Sequence, residues 1–428
     1  MICGSCLHDN TWAHVLHDGG YEISLIPAYT PIRVDEENFS SRRVFFGGVN
    51  VYLDSHFPWW RRMPGWVHGL LDAPSFIRWS TSFGVSTKAD ELGQMTVEML
   101  DGESGPHRAA VIELTDYFRQ LNPDVILFTN ALLSGALPRL KSVYAGPCLC
   151  ILQGDDIFLD GLIEPYKTRV MERIRQRVSE FDGFVVHSRY YRDFMSDLLR
   201  IPRERFQILP LTVDCRKHDG IPKTELSHPP TIGYFARICR EKGLHRLVEA
   251  CVRLRERVPK FRLLAGGYLP TGGEDYLRSV QDIAAPLGED FQYVGSPETH
   301  AEKVEFLKSL DIFSLPTVYH EPKGLSVLEA LANGVPVVLP AHGAFPELIE
   351  STGGGVLFPG DDLDALANRL ETMLSNHELR RQHAETGQER VRQAHDFAAL
   401  SAASRELFDR FLVAPAPQHV EHLARNIS

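Results

Sequence analysis

From Thr231 onward, short apolar runs alternate with amphipathic stretches in a regular rhythm. Thr231–Phe235, Phe261–Ala265, Phe291–Val294, Ile312–Leu315 and Pro336–Leu339 read as buried strands. Between them, Leu244–Val258, Asp275–Leu287, Ala301–Leu310 and Leu325–Ala332 repeat their apolar positions at three and four, as one-sided helices do. Strand–helix alternation with short glycine-bearing joints predicts a parallel sheet covered on both faces. Such sheets bind ligands at the carboxyl ends of their strands, where Arg237, Gly267, Gly295 and Glu321 fall.

The first half is also α/β but more interrupted. Glu22–Ile26, Val44–Val51, Val125–Phe128, Cys148–Leu152 and Gly183–Val186 are strand candidates, and Asp116–Leu121 and Glu164–Phe181 are helix candidates. The aromatic, Pro/Gly-punctuated stretch from Phe57 to Ser86 reads as an insertion or flap. Pro229-Pro230 fits neither a helix interior nor a central strand, so residues 209–230 read as a hinge. The expected organisation is a first domain over 1–208, the hinge, a second domain over 231–390, a returning helix over 391–412 and a tail over 413–428. Phe397, Leu400, Ser404, Leu407, Phe408 and Phe411 give that last helix one buried face.

The segment Tyr319–Val338 concentrates the chemistry. Glu321 and Glu329 stand eight residues apart around Gly324-Leu325, and a β-branched strand follows. Gly324 opens a helix whose exposed N–H groups and positive dipole end suit a phosphate. Carboxylates beside such a pocket repel phosphate but accept hydrogen bonds from hydroxyls, those of a sugar or ribose first among them. Together these parts read as a nucleotide-sugar site.

The spacing, the Gly-Leu pair, the helix and the Gly334-Val-Pro-Val-Val338 strand resemble the signature of the retaining glycosyltransferases of family 4, Glu-x7-Glu in a Glu-Pro-Phe-Gly-Leu frame. Arg237 and Lys242, in Ala-Arg-Ile-Cys-Arg-Glu-Lys-Gly243, resemble that family's Gly-Arg-x4-Lys-Gly segment. The resemblance covers essentially the whole chain. It implies a GT-B fold of two Rossmann-like doubly wound domains facing across a cleft, the first for the acceptor and the second for the donor.

It also implies that Arg237 and Lys242 clamp the donor diphosphate, that Glu321 faces the sugar and that Glu329 takes the ribose hydroxyls. The amides of Gly324 and Leu325 would face the distal phosphate or the sugar, Gly4 would approach the diphosphate from the first domain, and Gly295 lies where the base-recognition loop runs. No metal or cofactor is implied. Three departures stand out: Ala236 for a glycine, Lys323 for the usual Phe, and Gln153 where many relatives place a His that contacts the sugar. Lys323 is expected as a further phosphate contact. Gln153, Asp155, Asp156, His187 and His8 are candidates for sugar or acceptor contacts. Cys3-Gly-Ser-Cys6 resembles the glycine-rich loop that follows the family's first strand; that strand is missing here, and the expectation is that the natural chain carries one ahead of Met1.

Net charge of −11 and a pI near 5.9 argue against a nucleic-acid partner. No uncharged apolar run is long enough to span a bilayer, and Met1–Cys6 lacks the regions of a signal peptide. A cytoplasmic setting is expected, peripheral at the inner membrane face if Trp59–Trp66 and the basic stretch Lys167–Arg177 meet headgroups. The seven cysteines are expected as thiols; clustering of Cys3, Cys6, Cys148 and Cys150 on zinc is the rival reading. The expected partners are a nucleotide-sugar donor and a saccharide or lipid-linked acceptor. The rival functions are a non-catalytic nucleotide-sugar sensor and an epimerase or phosphorylase of the same fold.

Overall fold

The computed structural model describes residues 4–28, 32, 34, 37–41, 44, 45 and 89–412. The Trp59–Trp66 stretch, most of the Val44–Val51 strand candidate, Cys3 and the tail lie outside them. Among the described residues two parallel sheets form. The first holds β1 (Ile126–Phe128), β2 (Cys148–Ile151), β3 (Gly183–Val186) and β4 (Phe206–Ile208) in that spatial order. Its described strands therefore wind in one direction only. Each is joined to the next by a helix, as parallel pairing requires.

Glu22–Ile26 is not a strand. Among the described residues it makes a single bridge, Leu25 to Ser40, with no ladder beyond it. Its alternation of polar and apolar residues is real, but a lone bridge gives no ladder to extend.

The second sheet runs β10-β9-β8-β5-β6-β7, all parallel. Its strands are β5 (Thr231–Phe235), β6 (Arg262–Gly266), β7 (Phe291–Gly295), β8 (Ile312–Ser314), β9 (Val337–Pro340) and β10 (Gly355–Phe358). The chain winds outward from β5 to β7, then returns to the other side of β5 with β8. The direction reverses between β5 and β8, and a crevice opens there at the carboxyl ends. Val337, Val338 and Leu339 are fully buried, as strands covered on both faces must be. Burying each such side chain contributes about 1.5–3 kcal/mol.

The domains are joined twice. Residues 209–214 cross from β4 to the second domain, and the chain crosses back beside His395. The crossings are bonded to each other: Val213 N–H donates to the His395 carbonyl (3.0 Å), and the His395 ring bonds the Leu211 carbonyl (2.8 Å). After the return, helix Phe397–Leu412 packs on helix Gly4–Asp18. Trp12, Val15 and Leu16 from the first helix meet Leu400, Leu407 and Phe408 from the last over Leu149, Ile151 and Val185 of the first sheet. The Trp12 indole donates to Ser404 Oγ at 2.8 Å.

That packing bears on the thiols. Leu149 and Ile151 face the helix Gly4–Asp18, which carries Cys6, so Cys148 and Cys150 point to the opposite face. There they pack with Leu137 and Leu140. The strand pleat therefore keeps them away from Cys6, and burial pushes the Cys148 thiol up to about 12. Among the described residues no cluster of His, Cys, Asp or Glu is arranged to hold a metal ion.

Candidate functional site

The turn after β8 carries Tyr319 and Glu321 into the crevice, and the turn after β5 carries Arg237 and Lys242 to the same place. Lys242 Nζ lies 2.6 Å from Glu321 Oε2, and the Tyr319 hydroxyl donates to that same oxygen at 2.6 Å. Lys242 Nζ also sits 4.9 Å from the centre of the Tyr319 ring. Burial alone would raise the Glu321 carboxyl. The Lys242 charge and hydrogen bond, then Tyr319 and Lys323, outweigh it and hold the carboxyl below its ordinary value. Glu321 is thus an ionised acceptor, suited to hydroxyl donors and not to donating a proton. Arg237 is exposed on the crevice one turn earlier.

Three glycines make this geometry possible. Gly324 adopts φ 101° at the cap of helix Leu325–Ala332, a conformation that side chains rarely take. At Gly243 a Cβ would stand 1.9 Å from the Pro316 carbonyl oxygen, so only glycine lets the Lys242 turn lie against the β8 turn. At Gly343, φ 63°, a Cβ would meet the backbone of Glu321 at 2.6 Å.

Glu329 sits in the second turn of that helix, buried, with Lys303 Nζ 2.8 Å from its Oε1. Lys303 comes from helix His300–Ser309 and is itself buried. So each glutamate is held by a lysine from a different element. Gly295 ends β7, two strands from β5, where its carbonyl accepts from Gly267 N–H at 2.8 Å.

Across the cleft, the first domain presents a polar wall. Lys323 reaches it directly: Nζ donates to Ser5 Oγ (3.1 Å) in the first turn of helix Gly4–Asp18 and to Gln153 Oε1 (3.2 Å). Gly4 stands beside Ser5, exposed and with open space around its Cα. The other end of Gln153 donates to Asp9 Oδ1 at 2.8 Å, which fixes which way its amide points. Burial raises the Asp9 carboxyl to about 7, against the lowering effect of Gln153 and Lys323. His8 lies 3.3 Å from Asp9 and edge-on to His187, with ring centres 4.3 Å apart. Burial, then the Lys323 charge, pushes His8 down to about 3; burial, then His8 and Lys323, also lowers His187.

Asp155 and Asp156 are engaged within the first domain. Asp155 accepts from Ala131 N–H (2.9 Å) and Gln153 N–H (3.1 Å), which sets the turn that carries Gln153. Asp156 accepts from the Tyr191 hydroxyl at 2.6 Å. A second bridge between the domains joins Glu347 to the backbone N–H groups of Arg189 (2.9 Å) and Tyr190 (2.5 Å), at the start of helix Arg189–Leu199. A carboxylate there complements the helix dipole.

The structure thus gathers Glu321, Lys242, Arg237, Lys323, Gln153 and the Gly4-Ser5 turn into one cleft. It adds Tyr319, Lys303 and Ser5, which the sequence reading did not single out. A lysine in the apolar stripe that also holds Leu307 was the available signal for Lys303.

The model of the family described as Glycosyl transferases group 1 matches residues 219–390, the span that contains both cation–glutamate pairs. That span is thus similar to the glycosyl transferases group 1 family. Its relatives include the putative colanic acid biosynthesis glycosyltransferase WcaL of Escherichia coli (strain K12), 34% identical over 174 residues, 40% of this chain and 42% of that one. The chain therefore spans less than half of that relative. Over nearly the full length, the fold is similar to sucrose-phosphate synthase from Thermosynechococcus elongatus: TM-score 0.70, 17% identity, 96% of this chain and 94% of that one. It is also similar to Anabaena Alr3699/HepE in complex with UDP and glucose: TM-score 0.59, 17% identity, 72% and 82%. The span that the family model matches thus sits within a GT-B fold.

The basic stretch expected at a membrane is helix Tyr166–Arg177. Several of its cations are paired: Lys167 with Asp160 (2.9 Å), Arg173 with Asp101 (2.9 Å) and Arg177 with Glu180 (2.9 Å). Among the described residues, no helix is long and apolar enough to cross a membrane.

Proposed function

We propose that the protein is a retaining glycosyltransferase that moves a sugar from a nucleotide diphosphate donor to a hydroxyl acceptor, using side chains and not a metal for charge stabilisation. The observation that carries this reading is the Lys242–Glu321–Tyr319 cluster, set with Arg237 at the strand-order reversal of the second sheet. As the glycosidic bond to the diphosphate breaks, negative charge grows on the leaving group. Lys242 as a point charge and Arg237 as a planar fork stand where that charge develops. Glu321, kept ionised, accepts from sugar hydroxyls and orients the ring. Glu329 offers the ribose the carboxylate oxygen that Lys303 does not hold.

No carboxylate pair of this cleft is set up as nucleophile and acid, since Glu321 is committed to a lysine and a tyrosine. Retention then follows from attack on the face the leaving group vacates, with the departing phosphate oxygen taking the acceptor proton. Positioning and electrostatics supply the catalysis. Membrane attachment and a lipid-linked acceptor have no support from the paired cations of helix Tyr166–Arg177. A saccharide acceptor is the simpler proposal.

Calorimetry of the full chain against UDP, GDP, ADP and their hexose conjugates tests the donor site, and binding of at least one nucleoside diphosphate is expected. Glu321→Gln should retain that binding and lose donor turnover by about 100-fold or more. Binding with no turnover in the parent protein, or full turnover in Glu321→Gln, would favour a sensor.

A further inference from the structure

Two of the departures from the family pattern, Lys323 for an aromatic residue and Gln153 for a histidine, lie far apart in sequence. They touch in space, Nζ to Oε1 at 3.2 Å, across the cleft. A pair of substitutions that meet at the wall expected to face the sugar is one change in chemistry. The aromatic face and imidazole suit a neutral pyranose; a cation held by an amide does not.

The surroundings of the pair are built for an oxygen-rich ligand. Lys323 lines an interdomain cavity of about 330 Å3 together with His187, Ser188, His395 and two carboxylates, Glu347 and Glu350, that are both held by Arg189. That volume lies within the range of ligand sites, ~300–1,000 Å3. The Nε2 atoms of His8 and His187 are buried and have no hydrogen-bond partner. His187 Nδ1 meets the Leu209 carbonyl oxygen at 3.2 Å, which can only accept, so Nδ1 carries the proton and Nε2 presents a lone pair. An unanswered buried acceptor calls for an O–H donor. A cation from one domain and a hydroxyl acceptor from the other, lining one cavity, describe a ligand that carries both a carboxylate and hydroxyls.

Resting on the glycosyltransferase reading, we infer that the donor is a nucleotide diphosphate hexuronic acid, its carboxylate on Lys323 and a ring hydroxyl on His187 Nε2. Gln153, held by Asp9, positions the ammonium group. The transfer step is unchanged by this assignment. The bond from the anomeric carbon to the phosphate oxygen breaks, and its electron pair leaves with the nucleoside diphosphate. The acceptor oxygen forms the new bond, and its proton passes to the departing phosphate; the carboxylate is a spectator that fixes the ring.

Calorimetry with UDP, UDP-glucose and UDP-glucuronate, and with GDP, GDP-mannose and GDP-mannuronate, tests the assignment. Within the pair whose nucleotide binds, the uronate should bind about tenfold more tightly than the neutral hexose, as one charge-assisted contact allows. Lys323→Met should remove that preference while weakening the uronate about tenfold more than the bare diphosphate, and Lys323→Arg should keep it. A parent protein that binds the neutral hexose as tightly as the uronate overturns the assignment. So does a Lys323→Met variant that weakens bare diphosphate and both sugars equally, since Lys323 would then be a phosphate ligand. Binding of none of the six compounds, with ADP, ADP-glucose and ADP-glucuronate failing as well, removes the donor site itself, a result distinct from either.

Discussion

Replacing Lys303 with Met isolates what the Lys303–Glu329 pair does. Both side chains are only 7% exposed and their charged atoms lie 2.8 Å apart. At an effective dielectric near 20 that separation is worth ~6 kcal/mol of gross attraction. Most of it is offset by taking both ions out of water. The variant does not merely lose the net remainder, because it leaves Glu329 buried without its cation. Removing one partner of such a pair costs about 3–5 kcal/mol. For a domain of this size each kcal/mol lowers Tm by about 2–4 °C, so a fall of roughly 6–20 °C is expected for the transition of the second domain. The companion Lys303→Met/Glu329→Gln double variant, with no stranded charge, should recover most of the loss. Differential scanning calorimetry and urea denaturation of the parent, both singles and the double close the cycle. A coupling of at least about 2 kcal/mol is expected; losses that add within ~0.5 kcal/mol would refute a structural pair.

Further outcomes follow from the same geometry. Gly343→Ala places a methyl group 2.6 Å from the Glu321 backbone, and displacing that turn by an ångström should cut donor turnover about 100-fold; unchanged turnover in a folded variant would show that Glu321 is not positioned by this contact. Ser404→Ala strands the buried Trp12 indole N–H and should lower stability by about 1–3 kcal/mol, read by urea denaturation; no loss would mean another acceptor takes the proton. For Asp9, the folded carboxyl titrates near 7 against 3.8 in its ordinary setting. Its raised folded value means the contribution to stability is fully present below about 3.8 and is lost as pH rises through about 7. The displacement corresponds to ~4 kcal/mol, so Asp9→Asn should gain in Tm over the parent from pH 5 to pH 8. A difference that stays flat across that range would place the ionised carboxylate in a better-solvated setting. His8 has the opposite sign. Depressed from 6.5 to about 3, it contributes stability above pH 6.5 that is lost as pH falls toward 3, so His8→Gln should narrow the acid-side decline in Tm.

The second sheet was readable from the chain because its strands are continuous apolar runs broken by glycine. The Thr231, Phe261, Phe291 and Ile312 runs all became strands within a residue or two. β10 escaped notice because Gly353-Gly354 and Pro359 bracket Gly355–Phe358 and make it read as a loop. In the first domain, the alternation at Glu22–Ile26 carries no information about whether a neighbour is there to pair with it. β4, at the end of the expected first domain, went unread because its three residues run directly into the crossing. Within the site, Glu321, Arg237 and Lys242 were legible through spacing. That Lys242 and Tyr319 share one oxygen of Glu321 was not, since it depends on two strand ends meeting. The contact of Lys323 with Gln153 joins two domains, and no local pattern encodes it.

The seam between the first and last helices has a consequence for how the molecule is made. The Leu149, Ile151 and Val185 face of the first sheet is closed by Leu400, Leu407 and Phe408. On the ribosome, the first domain therefore emerges with an oily flank that stays uncovered until residues 397–408 have been translated. Completion of the earlier-made domain waits for that much later helix, and nascent chains stalled before residue 397 should be the ones that chaperones retain.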